Sequence, residues 1–415
     1  MLNRQSITRT QPGCVRSTFP LVNSSYSTPF GTLALPHPHP ACRLIVTVPA
    51  KDEAGFITTT LDALRRQTDP AGRPLPPATY EVIILANNCS DATAAVIRDY
   101  AATFPHFRVH VAERHFPREL ACVGTARRLL MDTARARFIH LGVPHGIICT
   151  TDADTLPDPT WVHHTLAAAA RGARAIGGRI LVPHAEPRQP HYRKQHLQDV
   201  TYRSLQYCLE SMIDPQTADP WPRHFQHFGP STAVRADVYT ACGGIPPLRS
   251  LEDVGLAMAL ERIGVPITHD PRVRVTTSAR VSERVGGRCF SSQLSEWSEL
   301  EERGDTQRVI GLANCKKLFK WKVALRRASA RRSAAGCPRL AEMLPVLGWR
   351  APHLEYQLAN QSFGGLYQGI RRRLEADKNF AGEPIGRAIH DLRRFSHGFR
   401  HRAVGTRPAG TALPA

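Results

Sequence analysis

Aromatic residues make up only 7 % of this chain of 415 residues. They are not interleaved with its basic clusters, which argues against a dedicated nucleic-acid-reading module. No stretch approaches the roughly 18 consecutive apolar residues of a membrane span. The ten cysteines are scattered without any C-x-x-C spacing, and Cys149 and Cys122 lie in apolar or helical contexts. Reduced thiols in a cytoplasmic protein are the simplest account, and neither a zinc site nor a disulfide framework is indicated. Acidic residues are also short, 35 against 54 Lys and Arg, for a formal charge of +19. No internal repeat is apparent.

What the chain does have is 42 % hydrophobic residues, enough at this length to bury a full α/β core with something left over. Residues 1–42 differ. Ser, Thr, Pro and His dominate there, including His37-Pro38-His39-Pro40, and no basic start leads into an apolar stretch of signal length, so a flexible extension is expected. Downstream, strand and helix patterns alternate. Arg43 to Val48 is a β-branched run stopped by Pro49, and Ile57, Leu61 and Leu64 recur as one face of a helix would have them. Glu81 to Ala86 reads as a second strand, and Asn87-Asn88-Cys89-Ser90-Asp91 as a turn and N-cap cluster opening another helix. Phe107 to Val111 reads as a third strand, Leu120 to Ala136 as a third helix and Gly146 to Thr150 as a fourth strand. That order predicts a doubly wound, mostly parallel sheet covered on both faces, with ligands outside the carboxyl ends of its strands.

Three polar clusters sit at such ends: Pro49 to Glu53, Asn87 to Asp91, and Thr151-Asp152-Ala153-Asp154. The last follows the apolar run Ile147-Ile148-Cys149 and so sets two carboxylates where a buried strand stops. Mg²⁺ and Mn²⁺ take hard oxygen ligands and keep positions open for phosphate oxygens, which suits a strand-end Asp-x-Asp. Two loop carboxylates can equally be a solvated turn.

Together these residues resemble family 2 glycosyltransferases, the nucleotide-sugar-dependent enzymes of the GT-A fold, over roughly Arg43 to Ser282. Val48 to Glu53 is similar to the family's Pro-x-x-Asn-Glu, with Asp52 in place of the Asn. Asn87 to Asp91 resembles its Asp-Asp-Gly-Ser-x-Asp loop, with Asn87 standing where an Asp faces the nucleobase, and the resemblance implies that Pro49 and Asp91 also contact the nucleotide sugar. Gly124-Thr125-Ala126-Arg127-Arg128 is similar to the Gly-x-Ala-x-Asn element beside the diphosphate, and Asp152-Ala153-Asp154 to the metal-binding Asp-x-Asp. Gly229 with Ser231, Gly243-Gly244 and Leu251-Glu252-Asp253 follow in the family's order, which implies an acceptor-side place for Gly229 and Ser231. The last resembles the family's Glu-Asp pair, whose Asp is the usual general base.

The resemblance implies a Rossmann-like nucleotide-sugar-binding core at residues 43–290, between the extension at 1–42 and a helical, basic region at 291–415. It implies transfer of a sugar from a UDP- or GDP-sugar to an acceptor hydroxyl, with Mg²⁺ or Mn²⁺ held by Asp154 and with Asp152 on the metal or the ribose. Asp253 would take the acceptor proton, with Glu252 beside it, in an inverting displacement. Read as plain sequence, Glu252 and Asp253 are also carboxylates suited to the positive end of a helix. Arg127 or Arg128 can neutralise a diphosphate or form a solvated helix face. Glu53 can accept from ribose or base, or cap the next helix; Asn87 can meet the base through its amide, or simply favour a turn. His269 is either a third metal ligand or a solvated loop residue. Arg280 and Arg284, in the run after Thr277, belong either to an active-site flap or to an exposed basic loop.

The charge is what the catalytic core leaves over. Lys316-Lys317, Lys320, Lys322, Arg326-Arg327, Arg331-Arg332, Arg371-Arg372-Arg373 and Arg393-Arg394 cluster beyond residue 310, where Ala and Leu suggest helices. An anionic membrane face, an acidic soluble acceptor or nucleic acid would suit them, as would an Arg-rich composition with no partner at all. The expected location is therefore cytoplasmic, with peripheral contact at the inner membrane face. Residues 191–228, between the metal motif and the base, hold the aromatic and charged groups of an acceptor-side insertion. A retaining enzyme acting on an acidic acceptor such as a phosphoglycerate, and a non-catalytic nucleotide- or nucleic-acid-binding protein, are the two rival readings. A nucleotidyltransferase would need a Gly-rich loop that Ala50-Lys51-Asp52-Glu53 does not supply.

Overall fold

The computed structural model describes residues 26–182, 193–278 and 290–404. The expected alternation is present. Strands β1 (Leu44–Ala50), β2 (Tyr80–Asn87), β3 (Val109–Arg114) and β4 (Ile147–Thr150) are joined by helices α1 (Ile57–Arg65), α2 (Thr93–Thr103) and α3 (Val123–His140). After them come β5 (Thr155–Pro157), α4 (Trp161–Ala170), β6 (Ala175–Leu181), α5 (Arg193–Ile213), β7 (Thr232–Arg235), α6 (Ala236–Ala241), α7 (Glu252–Arg262) and β8 (Ile267–Thr277). The eight strands form one sheet in the order β3-β2-β1-β4-β7-β6-β8-β5. β1 runs parallel to β2 and β4, β2 to β3, and β6 to β8, while β7 and β5 run against their neighbours. The sheet is thus mostly parallel and wound on both sides.

Alternate residues face opposite cores. Ile45, Ile83, Leu85 and Ile148 pack with Leu130 and Phe138 of α3, and Leu44, Val46, Val82 and Ile84 pack with Ile57 and Leu61 of α1 and Ile97 of α2. Every residue of β2 is buried, as a strand covered on both faces requires. Glu81 is the charged member of that run, and Arg137 of α3 grips its carboxylate at 2.5 and 2.7 Å. Burial alone would raise the Glu81 carboxyl; hydrogen bonds from His110 and Arg137 outweigh it and hold the group below its ordinary range.

The reversal of β7 positions the site. The chain passes the carboxyl rim of the sheet before entering β7, and Thr232 pairs with Thr150, so Gly229 to Ser231, a single 3₁₀ turn, lie beside the end of β4.

The segment 26–42 departs from the expected flexible extension. Leu33 is buried and its amide donates to Thr133, while Arg128 and Arg137 donate to the carbonyls of Ser27 and Pro36. Tyr26 hydrogen-bonds the fully buried Asp132. The cause lies on α3, whose outer face carries Arg128, Asp132, Thr133 and Arg137 and needs polar partners once covered. A Ser/Thr/Pro-rich composition conceals such backbone partners.

The remaining chain is helical: α8 (Phe290–Glu302), α9 (Leu312–Arg331), α10 (Pro338–Leu347), α11 (Ala351–Asn360), α12 (Phe363–Glu375) and α13 (Ile385–Val404), with a two-strand ladder of β9 (Arg308–Val309) and β10 (Glu383–Pro384). Leu318, Leu325, Leu354, Leu366, Ile370 and Leu392 share one core with Tyr202 and Leu209 of α5. Helix α12 also closes on α7: a Cβ at Gly364 would collide with the Glu261 carbonyl. The basic helices are therefore built onto the sheet domain through α5 and α7. No helix among the described residues is long and apolar enough to cross a membrane.

Candidate active site

Three strand ends and two loops meet at the carboxyl rim. The loops after β1 and β2 are tied together: Asp52 accepts from the amide and hydroxyl of Ser90 at 2.7 and 3.1 Å, the Glu53 amide donates to Thr93 Oγ1 at 2.8 Å, and the Ala54 amide donates to Asp91 at 3.0 Å. Both loops turn through left-handed backbone at non-glycine residues, Asp52 with φ 54° and Asn88 with φ 52°. Asx side chains tolerate that region by bonding locally. Asn88 does so by exchanging hydrogen bonds with the Phe116 backbone. Pro49 and Asn87, the expected nucleotide contacts, are the next-to-last residue of β1 and the last of β2, adjacent on the rim.

Asp91 has a different task from the one expected of it. One carboxylate oxygen takes the Thr93 amide and hydroxyl and the other the Ala54 amide. Burial would raise this carboxyl, but these donors outweigh it and hold it below its ordinary range. It braces the two loops. Asp52, Cys89 and Asp91 are the grouping of three metal-ligating side chains within 4.8 Å among the described residues. Both carboxylates are already committed to these loop donors.

At the end of β4 the arrangement converges on Arg127. This guanidinium is buried, pairs with Asp152 through Nη2, and lies 3.0 Å from Glu252 through Nη1. Gly229 provides the space, since a Cβ there would fall within the guanidinium. The Gly229 amide donates to Asp253 Oδ2 at 2.7 Å, and the Val254 amide holds Asp253 Oδ1 at 2.7 Å. Leu251, with φ 60° and an exposed side chain, is the left-handed hinge that presents Glu252 and Asp253 at the start of α7. Such backbone costs about 1–2 kcal/mol at a non-glycine residue and persists where the surroundings hold it.

One cation thus serves several carboxylates. Burial, followed by the charges of Asp154 and Asp253, pushes the Asp152 carboxyl up against the opposing pull of Arg127. Burial and Asp253 likewise push Glu252 up. An excess of confined negative charge of this kind is relieved by a bound cation. Arg127 Nε, Thr150 Oγ1 and Thr151 Oγ1 are also buried without hydrogen-bond partners. Asp152, with its side chain 29 % exposed, and the half-buried Asp154 supply hard oxygen donors at the rim. The residues present therefore fit Mg²⁺ or Mn²⁺.

Other expected site residues are placed elsewhere. Arg128 spends its guanidinium on Asp132 at 2.8 Å and on the carbonyls of Gly243, Ile245 and Ser27 at 2.6–3.1 Å, so it is an internal tie and not a phosphate ligand. Ser231 is buried and accepts from Trp161 Nε1 at 3.0 Å, above Gly178, where no Cβ would fit. It seats the turn on the sheet instead of facing an acceptor. His269 is buried, with Asp219 on one ring nitrogen and His227 on the other, which removes it as a metal ligand. Arg280 and Arg284 lie outside the described residues. Sequence reasoning missed that Glu252 is Arg127's partner and that Gly229 serves Asp253 through its backbone. The spacing of a carboxylate pair to a distant arginine carries no sequence signal.

Residues 45–233 match the family model described as glycosyl transferase family 2. No curated protein matches the chain. Similar solved structures include the mannosyltransferase PcManGT from Pyrobaculum calidifontis in complex with GDP-Man and Mn²⁺, at 18 % identity and TM-score 0.38 over 88 % of this chain and 82 % of that one. S. aureus TarS 1-349 in complex with UDP-GlcNAc is similar at 13 % identity and TM-score 0.39 over 87 % and 92 % of the two chains. GalNAc-T7 with UDP, GalNAc and Mn²⁺ is similar at 11 % identity and TM-score 0.42 over 82 % and 58 %.

Proposed function

We propose that this chain, whose residues 45–233 are a family 2 glycosyltransferase domain, moves a hexosyl group from a UDP- or GDP-sugar to an acceptor hydroxyl with inversion at the anomeric carbon. The observation that carries the reading is the convergence of Asp152, Glu252 and Asp253 around Arg127 and Gly229, which links the end of β4 to the start of α7.

In this reading Asn87, Pro49 and Glu53 receive the nucleoside at the ends of β1 and β2, where open α/β sheets bind ligands. Asp154 with Asp152 would hold Mg²⁺ or Mn²⁺, which when bound would supply positive charge for the departing diphosphate. Arg127 fixes Asp152 and Glu252 in place, so its charge orients the carboxylates and does not itself touch phosphate. Asp253 takes the proton of the acceptor hydroxyl. Its two backbone donors, the amides of Gly229 and Val254, aim the carboxylate.

A cytoplasmic protein that meets an anionic membrane face through its basic helices is part of the same reading. In its support, Lys317, Lys320, Arg327 and Arg331 of α9 are exposed at spacings that share one helix face, and Arg393 and Arg394 of α13 are exposed as well.

The test is donor turnover. Purified protein is incubated with UDP-, GDP-, dTDP- and ADP-sugars and Mn²⁺ or Mg²⁺, and release of nucleotide diphosphate is followed with and without EDTA. Release from one donor, abolished by EDTA and restored by metal, is expected. Release from none, with no nucleotide sugar bound in calorimetry, contradicts the proposal.

A further inference from the structure

Two cavities away from Asp152 and Asp253 share a wall. The first is an open groove of about 580 Å³ between α5 and α13, lined by Arg193, Lys194 and Leu197 of the one and by Gly386, Ile389 and Arg393 of the other. The second, of about 360 Å³, lies between α5 and the end of β6, where Ile180, Leu181, Val200 and Phe225 line it together with the exposed Arg179. Leu197 lines both, so the two form one trough along α5.

Helical spacing explains its shape. Arg193, Leu197 and Thr201 recur every fourth residue on one face of α5, while Tyr202 and Leu209 on the other side enter the core shared with the C-terminal helices. Gly386, Ile389 and Arg393 recur at i, i+3 and i+7 along α13, and a Cβ at Gly386 would meet nothing within 4 Å, so the groove is open above it. The trough also reaches the carboxyl rim of the sheet, since β6, like β4, runs against β7 and Leu181 is its last residue.

The lining is apolar below and cationic above. Leu181 and Leu197 are 37 % and 52 % exposed. A single exposed leucine is ordinary, but two in one trough, continued by Ile180, Val200 and Ile389, make a contiguous apolar surface of the kind that marks a binding groove. Among the described residues no Asp or Glu lines either cavity, whereas Arg179, Arg193, Lys194 and Arg393 do. Lys194 also lies 2.9 Å from Glu301, which leaves the wall cationic overall. A free sugar phosphate would meet the cations and leave the leucines in water; a neutral apolar molecule would do the reverse. Both demands are met by one ligand with an apolar chain and an anionic head.

We propose that the trough binds an anionic phospholipid, with one acyl chain along Leu197 and Ile389 and the phosphate among Arg193, Lys194 and Arg393. The membrane contact proposed above needs only surface charge on α9 and α13; the trough adds a site for a single lipid molecule. The proposal rests on that membrane reading and is independent of the transfer chemistry.

The test is co-sedimentation of the full chain with vesicles of phosphatidylglycerol and phosphatidylcholine in equal parts, each variant first checked for parent-like circular dichroism. Leu181→Gln with Leu197→Gln is expected to raise the apparent Kd by about tenfold, on the order of one leucine side chain left in water, and Arg393→Gln by about fivefold. Gly386→Leu is the most discriminating variant. It fills the groove yet makes the surface more apolar, so a seated acyl chain is expelled and binding falls by about tenfold, whereas plain insertion of an apolar surface would strengthen it. Inorganic phosphate is expected to displace no more protein than sodium chloride of equal ionic strength. Binding unmoved by the two glutamines, binding strengthened by Gly386→Leu, equal binding to pure phosphatidylcholine, or specific displacement by inorganic phosphate overturns the groove. If Lys317→Gln with Lys320→Gln on α9 abolishes binding while the groove variants leave it intact, the membrane reading stands and the groove falls. A parent that binds no vesicles fails the membrane reading and the groove with it.

Discussion

Gly229 and Arg127 are in direct contact: the glycine Cα faces the guanidinium so closely that the space a Cβ would need is already filled by the arginine. Since Arg127 also pairs with Asp152 and Glu252, and the Gly229 amide holds Asp253, the two residues couple Asp152 at the end of β4 to Asp253 at the start of α7.

Gly229→Ala tests that coupling. The methyl group must displace Arg127, whose loss leaves buried carboxylates unpaired. Transfer is expected to fall by about a hundredfold or more, on the scale of a 1 Å misplacement of catalytic groups. The protein should still fold, as judged by far-UV circular dichroism. Turnover within about threefold of the parent would contradict the coupling.

Asp253→Asn keeps an oxygen for the Gly229 amide and removes the base. A loss of about 10²–10⁴ in kcat with little change in donor KM is expected for an inverting enzyme. Substantial remaining turnover would favour the retaining alternative, in which Asp253 is not the base.

Arg128→Met separates the internal tie from the neighbouring site residue. Removing one partner from a buried pair with Asp132 costs about 3–5 kcal/mol and also frees the Ser27 carbonyl that anchors the 26–42 segment. Thermal unfolding should shift down by several degrees, and the segment should become more sensitive to protease. Unchanged stability combined with a raised donor KM would return Arg128 to the role first read from sequence.

Glu81→Gln probes the buried Arg137 pair with a defined pH sign. The folded carboxyl titrates below its ordinary value, so its contribution is present above about pH 4.3 and is lost as pH falls through the lower folded value. In urea titrations the variant should be least stable relative to the parent near pH 7, and the gap should close in acid. A gap independent of pH would show that the charge is not what matters there.

The sheet was legible because its signals are local. β-branched runs, helix-spaced leucines and strand-end Asp and Asn clusters state their own structure, and their order brought Asp152, Glu252, Asp253 and Gly229 into one reading. Three residues read as ligand contacts, Arg128, Asp91 and Ser231, instead hold the fold together. Whether an arginine meets phosphate or Asp132, or whether Asp91 meets a nucleotide or Thr93, is settled by tertiary partners that are remote in sequence or by turn geometry. The His227–His269–Asp219 chain was hidden for the same reason, its members lying 42 and 50 residues apart. The packed segment 26–42 was hidden because its contacts run largely through backbone carbonyls, which every residue type possesses.

Asp154 and Asp152 are proposed to hold a metal against a departing nucleotide diphosphate. The most direct test is nucleotide diphosphate release by Asp154→Ala beside Asp91→Ala, on the donor the parent uses. The account predicts that Asp154→Ala remains folded, loses release by about a thousandfold or more, and no longer responds to added Mn²⁺, while Asp91→Ala keeps its metal dependence with a loosened loop. Metal-dependent release by Asp154→Ala at a rate near the parent's would contradict it.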